Sequence, residues 1–352
     1  MLPRVPESRP WVVLVGGFLG AGKTSLILAA ARMLEARGVR CAAILNDQGD
    51  ELVDTRHAES RGLLAREVTG GCFCCRLSAL TSAIEELRTW SPEVIFAEPV
   101  GSCTDIAATV IGPLLEEFDR CRLAPFTVLV DPRRLLALGG EEVDADLRFL
   151  FEKQIEEADL VVMSKADVFP EAAARGVEAR RLSAKTGEGV AEWLDEILGG
   201  VLEAGGRIAE VDYARYARAE AALAWLNLSF VYVTTPPMSA PMVAGPLLDG
   251  IDTALTAAGI PLVHLKLLDR SEAGWAKAAL CANGAAPHVE GHLDASPAGR
   301  HEVLVNLRAQ GDPRRVRDLV EEQVGKLPGS VAEVRLSCFR PAAPVPERRM
   351  VR

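Results

Sequence analysis

The segment Gly17-Phe18-Leu19-Gly20-Ala21-Gly22-Lys23-Thr24 constrains this chain more than any other. It fits the pattern G-x-x-x-x-G-K-[ST] and stands between an apolar run, WVVLV at 11–15, and a helical periodicity over 23–36. Glycines at such a turn let backbone N–H groups converge on phosphate oxygens, while the lysine adds a point charge and the threonine a hydroxyl for Mg²⁺. A helix that begins there adds the positive end of its dipole. Gly17, Gly20, Ala21, Gly22, Lys23, Thr24 and Ser25 are therefore the expected phosphate contacts.

Further apolar runs at 41–45, 94–97, 126–130 and 160–163 alternate with helical patterns such as 77–88, 147–158 and 190–198. This alternation predicts an α/β domain over 11–200, with a mainly parallel sheet flanked by helices. Residues 201–222 read as a linker and docking segment, with an Ala-rich helix near 213–225. The pattern then changes. Strands are expected at 226–234, 260–268, 302–308 and 332–338, and helices at 245–258 and 313–326, while 275–281 fits either type. That order predicts a smaller C-terminal α+β domain over 223–340, its sheet covered on one face by two helices. Pro-rich ends at 1–10 and 341–352 read as flexible tails. Two domains suit 352 residues, because single cores stop growing at about 250–300.

Charge narrows the function. The formal net charge is −10, which argues against nucleic acid or an anionic membrane as partner, since both attract basic faces. No apolar run reaches the ~20 residues needed to span a bilayer, and MLPRVPESRP lacks the apolar core of a secretory signal. The expected compartment is the cytoplasm, where eight cysteines do not make a disulfide framework.

Three of those cysteines fall within four positions, in Gly70-Gly71-Cys72-Phe73-Cys74-Cys75-Arg76. Cys72, Cys74 and Cys75 can converge on one borderline-soft ion such as Zn²⁺ or Co²⁺, with a fourth position left for water, another residue or a client protein. Packing as small hydrophobes and a redox pair are the competing readings. Cys41, Cys103, Cys121, Cys281 and Cys338 are scattered, mostly through apolar segments, and read as core residues.

Two short elements suggest which base is bound. Ser164-Lys165-Ala166-Asp167 follows an apolar run at the place of an [NT]-K-x-D motif. The Asp167 carboxylate would accept from guanine N1–H and N2–H, donors that adenine lacks, with the Lys165 stem along the ring. Ser164 stands where Asn is usual and offers fewer hydrogen bonds to the loop. Ser183-Ala184-Lys185 is similar to a loop that offers a backbone N–H to guanine O6. Together they point to GTP over ATP.

Taken in order, GGFLGAGKTS, NDQGDE, GCFCC, FAEPVGS and SKAD resemble the CobW-like GTPases, part of a group with HypB and UreG. The resemblance covers about residues 11–198. It implies a P-loop GTPase linked to metal handling, which delivers metal ions or helps to assemble metal-dependent or corrinoid-dependent enzymes. It further implies that Cys72, Cys74 and Cys75 bind metal, and that Lys23 and Thr24 hold phosphate and Mg²⁺. Asn46-Asp47-Gln48-Gly49 is similar to the first switch, with Asp47 in place of the usual Glu. Glu98 in Phe96-Ala97-Glu98-Pro99-Val100-Gly101 is similar to the second switch and would orient hydrated Mg²⁺ or the attacking water. Lys23, Glu98 and Asp47 are thus the candidate catalytic residues. Asp131 matches an aspartate that often ends the next strand, without an assigned role. Helix caps and solvated strand ends are the plain alternatives for Asp47, Glu98 and Asp131.

The C-terminal part departs from the family pattern of histidine-rich segments. His288, His292 and His301 lie close in sequence with Glu290 among them, which admits a second metal site, but Pro287, Gly291, Pro297 and Gly299 read as a loop, where histidines are more often only solvated. The expected activity is slow GTP hydrolysis to GDP and phosphate, gated to a metal site lying between the two switches, with a client or a homodimer partner completing the catalytic site. The rivals are a GTP-gated interaction switch or reactivase without metal transfer, a small-molecule P-loop kinase, and a metal store or sensor.

Overall fold

The structure, a computed structural model, describes residues 9–49, 53–138, 144–171 and 179–350. Most of the expected tail at 1–10, and Asp50 and Glu51 of the NDQGDE segment, lie outside the described residues. Two compact units emerge. The first comprises 1–48, 58–219 and 344–352, and the second 49–57 and 220–343.

The first unit is built on one eight-stranded sheet. Its strands are β1 (Trp11–Gly17), β2 (Cys41–Asn46), β3 (Leu64–Val68), β4 (Val94–Glu98), β5 (Arg122–Leu123), β6 (Thr127–Val130), β7 (Leu160–Met163) and β8 (Ala179–Arg181). The order is β3-β2-β4-β1-β6-β7-β8, with β5 also beside β1, and every pairing is parallel. Parallel strands are covered on both faces, so they read as unbroken apolar runs. Val12–Val15 are accordingly wholly buried. Helices Lys23–Ala36, Leu77–Arg88, Ala145–Glu156 and Val190–Leu198 cross between strands. In Leu77–Arg88 the buried residues Leu77, Leu80, Ala83, Ile84 and Leu87 recur at helical spacing and form one stripe. Asp144 caps Ala145–Glu156 by accepting from the N–H groups of Asp146 and Leu147, a contact whose loss costs about 1 kcal/mol.

β1 has β4 on one side and β6 on the other, and the chain leaves it toward β2, beyond β4. Crevices at such points, beyond the C-terminal ends of strands, take ligands in open α/β sheets. The ends of β1, β2, β4 and β7 carry the phosphate loop, Asn46, Glu98 and the Ser164–Asp167 element.

The second unit holds a six-stranded antiparallel sheet, in which β9 (Leu223–Met238), β10 (Leu262–Ser271), β11 (Gly274–Leu280), β12 (His288–Gly291), β13 (Ala298–Gln310) and β14 (Ser330–Phe339) run in the order β12-β11-β10-β13-β9-β14. Alternation is visible along β9. Leu226, Leu228, Phe230 and Tyr232 join one apolar core with residues of helices Ala240–Ala257 and Pro313–Gly325. Asn227, between them, points to the other face and accepts from Asn306 Nδ2 at 2.9 Å and Arg308 Nη2 at 3.1 Å.

Three expectations are corrected in this half. The ambiguous 275–281 segment is a strand, paired on both sides. The region holding His288, His292 and His301 is not a plain loop, because β12 and β13 occupy much of it. His301 is not solvated: it is fully buried, with Nδ1 2.9 Å from Asp269 and Nε2 3.0 Å from the Ala298 carbonyl. The C-terminal stretch also differs from a loose tail. Pro344–Arg352 clusters with the first unit, where the Met350 N–H donates to Ala108 O at 2.8 Å and Arg349 Nε to Asp105 at 2.7 Å.

Candidate nucleotide and metal site

The phosphate loop turns where only glycine fits. Gly17 has φ of 130°, and a Cβ there would stand 2.4 Å from the Leu129 carbonyl oxygen. Gly22, with φ of 97°, is left-handed and opens the helix Lys23–Ala36. Lys23 is buried, and its Nζ donates to Gly17 O at 2.9 Å and lies 3.7 Å from Glu98 Oε1. The Thr24 hydroxyl donates to Glu98 Oε2 at 2.8 Å. This buried hydroxyl–carboxylate pair at a helix start is the hard-oxygen donor set that suits Mg²⁺. Ser25 is exposed, and Ala21 is buried.

The two base-reading elements meet. Asp167 Oδ1 accepts from Ser183 Oγ at 2.7 Å, and the Ala166 N–H donates to Leu182 O at 3.1 Å. Lys165, at φ of 59°, donates through Nζ to Gly20 O at 3.0 Å and to Asp131 Oδ2 at 2.5 Å. Asp131 thereby gains a position: it ties the base-side lysine to the end of β6. Ser164 Oγ donates to Val130 O at 3.3 Å, while Ala184 is half-buried and Lys185 exposed.

The cysteine loop follows β3. Its chain passes Gly70 and Gly71, at φ of 73° and 154°, and forms a short helical turn over Phe73–Cys75. Asn46, at the end of β2, holds it at two points and ties it to the end of β3. Its Nδ2 donates to Val68 O at 2.8 Å and Gly71 O at 2.7 Å, and its Oδ1 accepts from the Phe73 N–H at 2.9 Å. Asp47 comes next, one carboxylate oxygen accepting from the Gln48 N–H at 2.6 Å. The Cys75 sulfur lies 3.4 Å from Cys72 and 3.6 Å from Cys74. Cys103 joins them: the sulfurs of Cys72, Cys74 and Cys103 all lie within 4.8 Å of one another. With Cys75 as close to Cys72 and Cys74, four sulfurs from two loops gather in one place.

Residues 11–191 match the family model of the CobW/HypB/UreG nucleotide-binding domain, about half the chain. The chain belongs to the CobW/HypB/UreG family. It is 30% identical over 181 residues to the zinc chaperone YjiA of Escherichia coli, an alignment covering 49% of this chain and 55% of that protein. A second zinc chaperone of that organism, YeiR, is 30% identical over 158 residues, covering 44% and 46%. The chain thus spans about half the length of the curated relatives it matches. A solved structure of Zn(II)-bound YjiA GTPase from E. coli overlays 90% of this chain and 99% of that one at 15% identity, with a TM-score of 0.38. That overlay is too loose to carry an argument.

Within this CobW/HypB/UreG domain the thiols perturb one another. Hydrogen bonds from Cys103, Cys74 and Cys75 hold the Cys72 thiol well below its usual range. The same bonding, led by Cys103, drives Cys74 well above it, and Cys75 is pushed up to about 11, chiefly by its hydrogen bond with Cys72. Cys41 and Cys121 are instead pushed up to about 12 by burial, the behaviour of inert structural thiols.

Cys103 is the residue that sequence reasoning missed, having been assigned to the core. A signal was present. It lies not in an apolar run but in Gly101-Ser102-Cys103-Thr104-Asp105, the loop that follows β4 and Glu98. Gln154, unremarked in the sequence, holds this loop by donating to the carbonyls of Gly101 at 3.0 Å and Cys103 at 2.7 Å.

Proposed function

We propose that this chain is a GTP-hydrolysing metal carrier, in which the state of a bound nucleotide sets the affinity of a thiolate site for a transition-metal cargo. The observation that supports this best is the place of Asn46. One side chain, at the head of the first switch segment, makes two hydrogen bonds to the loop bearing Cys72, Cys74 and Cys75 and a third to the end of β3, from which that loop departs. A γ-phosphate that orders the first switch acts on the cysteine loop through that amide. By linkage, the cargo in turn alters nucleotide affinity.

The roles follow from chemistry. Lys23 and the N–H groups of 17–24 neutralise the β- and γ-phosphates, and Thr24 with Glu98 would hold Mg²⁺, which offsets the developing phosphate charge. Glu98 is placed to orient the attacking water, and Asp167 with Lys165 selects guanine. Cys72, Cys74 and Cys75 suit Zn²⁺ or Co²⁺. The recipient is a client metalloenzyme or corrinoid-dependent enzyme in the cytoplasm, and a client or a second copy of the chain completes hydrolysis.

The test is a titration of Zn²⁺ and Co²⁺ into the full chain with GDP, and again with a non-hydrolysable GTP analogue. The expected result is a difference of about 5–150-fold in metal affinity between the two states. Equal affinities overturn the gating.

A further inference from the structure

We propose that Cys103 is a ligand of the transferred ion, so that the resident seat is Cys72, Cys74 and Cys103, with Cys75 at the outer, exchangeable position. This rests on the carrier reading above and adds to it the means by which nucleotide reaches the ion.

Geometry separates the four thiols. Cys72, Cys74 and Cys103 are 5%, 1% and 3% exposed, whereas Cys75 is partly open to solvent. Zinc–sulfur bonds of about 2.3 Å in a tetrahedron place sulfurs about 3.8 Å apart. Sulfurs already within 4.8 Å of one another close onto an ion by side-chain adjustment alone. Cys75, 3.4 Å from Cys72 and 3.6 Å from Cys74 and the most exposed of the four, would supply the remaining vertex. A carrier needs that arrangement: a buried grip and one accessible ligand at which an incoming donor begins exchange. Each thiol that ligates releases its proton to solvent.

Connectivity gives Cys103 its separate importance. Cys72, Cys74 and Cys75 share one loop, held by Asn46. Cys103 comes from another, five positions after Glu98. The intervening chain lies against the phosphate loop: a Cβ on Gly101 would stand 3.0 Å from Lys23 Nζ and 3.1 Å from Leu19 N. The Cys103 N–H donates back to Val100 O at 2.9 Å, closing a tight turn, and buried Gln154 fixes the carbonyls on both sides of Ser102. Beyond it, Thr104 N–H donates to Tyr216 Oη at 3.2 Å, and Thr104 Oγ1 to Glu157 at 3.1 Å. Residues 98–103 thus form a short stiff connection from the lysine that meets phosphate to one sulfur of the seat. A shift of the Gly101 backbone when phosphate is bound or lost moves Cys103 relative to Cys72 and Cys74. It adds or withdraws a thiolate from the ion.

The test uses Co²⁺, whose sulfur-to-metal charge-transfer absorption grows with each thiolate bound, with Zn²⁺ competition to give affinities. Wild type, Cys75→Ser, Cys103→Ser and Cys103→Ala are compared as full chains in GDP and in a GTP analogue. Cys75→Ser is expected to keep a three-thiolate spectrum and its dependence on nucleotide. Both Cys103 variants are expected to lose one thiolate's intensity, at least tenfold in Zn²⁺ affinity, and the dependence on nucleotide. An unchanged spectrum and gating in the Cys103 variants overturns the proposal, as does loss of the third thiolate in Cys75→Ser. Should the buried substitutions unfold the chain, the sulfur count around Zn²⁺ by X-ray absorption in Cys75→Ser decides alone: three sulfurs support Cys103, and two reject it. Failure of the wild type to bind Co²⁺ through thiolates overturns the carrier reading itself, a result distinct from either of these.

Discussion

The two units bury polar groups in opposite ways. In the first, polar side chains stand at the C-terminal ends of parallel strands, and besides the pairs Lys23–Glu98 and Lys165–Asp131 they include a cluster of thiols with no counter-charge beside it among the described residues. Thiols face thiols, and Lys23 faces Gly17 O. In the second, titratable groups of the sheet and of the helix Val53–Ser60 stand beside groups that can carry the opposite charge. Asp54 contacts Lys266 and Lys277, His57 Nε2 lies 3.2 Å from Glu290, and His301 pairs with Asp269. Burial raises the Asp54 pKa, but the two lysines overcome that and hold it below the usual range. Buried opposite charges can offset each other within the chain, whereas thiols gathered without a counter-charge are what an ion repays. Burial alone therefore does not mark function; the kind of neighbour matters as well.

Removing one group from each side breaks or confirms this contrast. Lys23→Ala should lower the rate of GTP hydrolysis by about 10³-fold, about 4 kcal/mol of barrier, while the thermal midpoint moves by no more than ~2 °C. Single-turnover hydrolysis and a melting curve check it. Asp269→Ala should do the reverse. It strands a buried imidazole and costs about 3 kcal/mol, the low end for a broken buried pair because burial already raises the Asp269 carboxyl to about 7 and so weakens the charge it offers. Denaturation followed by Trp225 and Trp275, both buried in the second unit, should show that loss with nucleotide affinity unchanged within about twofold. If stability and nucleotide binding fall together in either variant, the division of labour is wrong.

The same contrast explains what was legible in the sequence. Parallel strands advertise themselves as apolar runs, and glycine-rich turns as short contiguous motifs, so the parallel sheet and fold class of the first unit were legible. Asp131 was placed but had no role until Lys165 was seen 2.5 Å from it. Cys103 escaped because its meaning depends on a contact across thirty residues of sequence, with Cys72 and Cys74. The pairings of the second unit escaped for the same reason, His301 most plainly: its partner Asp269 is 32 positions away, on the neighbouring strand. Residues 53–57, which come soon after Asn46–Gly49 in sequence yet cluster with the second unit, carry no sequence signal of that membership.

Base selection offers a smaller effect. Asp167→Ala removes the carboxylate expected to accept from guanine and should weaken GTP binding by about 10–100-fold while leaving ATP binding unchanged. Competitive displacement of a fluorescent nucleotide measures both. Equal weakening of the two would show that Asp167 only supports Ser183 in the fold.

Glu157 tests the contrast at its weakest point, since it is a buried carboxyl of the first unit whose partners are neutral: Ala107 N–H at 2.9 Å and Thr104 Oγ1 at 3.1 Å. Burial raises its pKa to about 8, above the about 4.3 of an unfolded chain. Between those values the folded state holds a proton that the unfolded state has lost. Stability therefore declines as pH rises through that window, by up to about 1.4 kcal/mol per pH unit. Glu157→Gln keeps the acceptor oxygen and has nothing to titrate, so its stability should lack this component. Urea denaturation at pH 5, 6, 7 and 8 on both proteins checks the sign, and parallel profiles would show that Glu157 is ionised and compensated after all.

The smallest effect concerns the strand of chain over the cysteine loop. Val345 N–H donates to Cys75 Sγ at 3.2 Å and Glu347 N–H to Cys74 O at 3.0 Å. The Glu347 carboxylate accepts from the Ser78 N–H at 2.8 Å and from Ser78 Oγ at 2.9 Å, in the first turn of helix Leu77–Arg88. A carboxylate there favours the helix start by about 0.3–1 kcal/mol. Glu347→Gln retains an oxygen acceptor but loses the charge, so the strap should lift more often and alkylation of Cys75 should quicken by about threefold. Two influences compete, because the Val345 N–H also favours the Cys75 thiolate. With that thiol at about 11, only a small fraction is ionised at pH 8 in either protein, and access to the sulfur decides the rate. Mass-spectrometric labelling of Cys75 against Cys41 as an internal control measures it. A slower reaction in the variant would show that the tail activates the thiol more than it covers it, and the outer ligand would then be one that this stretch of chain prepares for the ion.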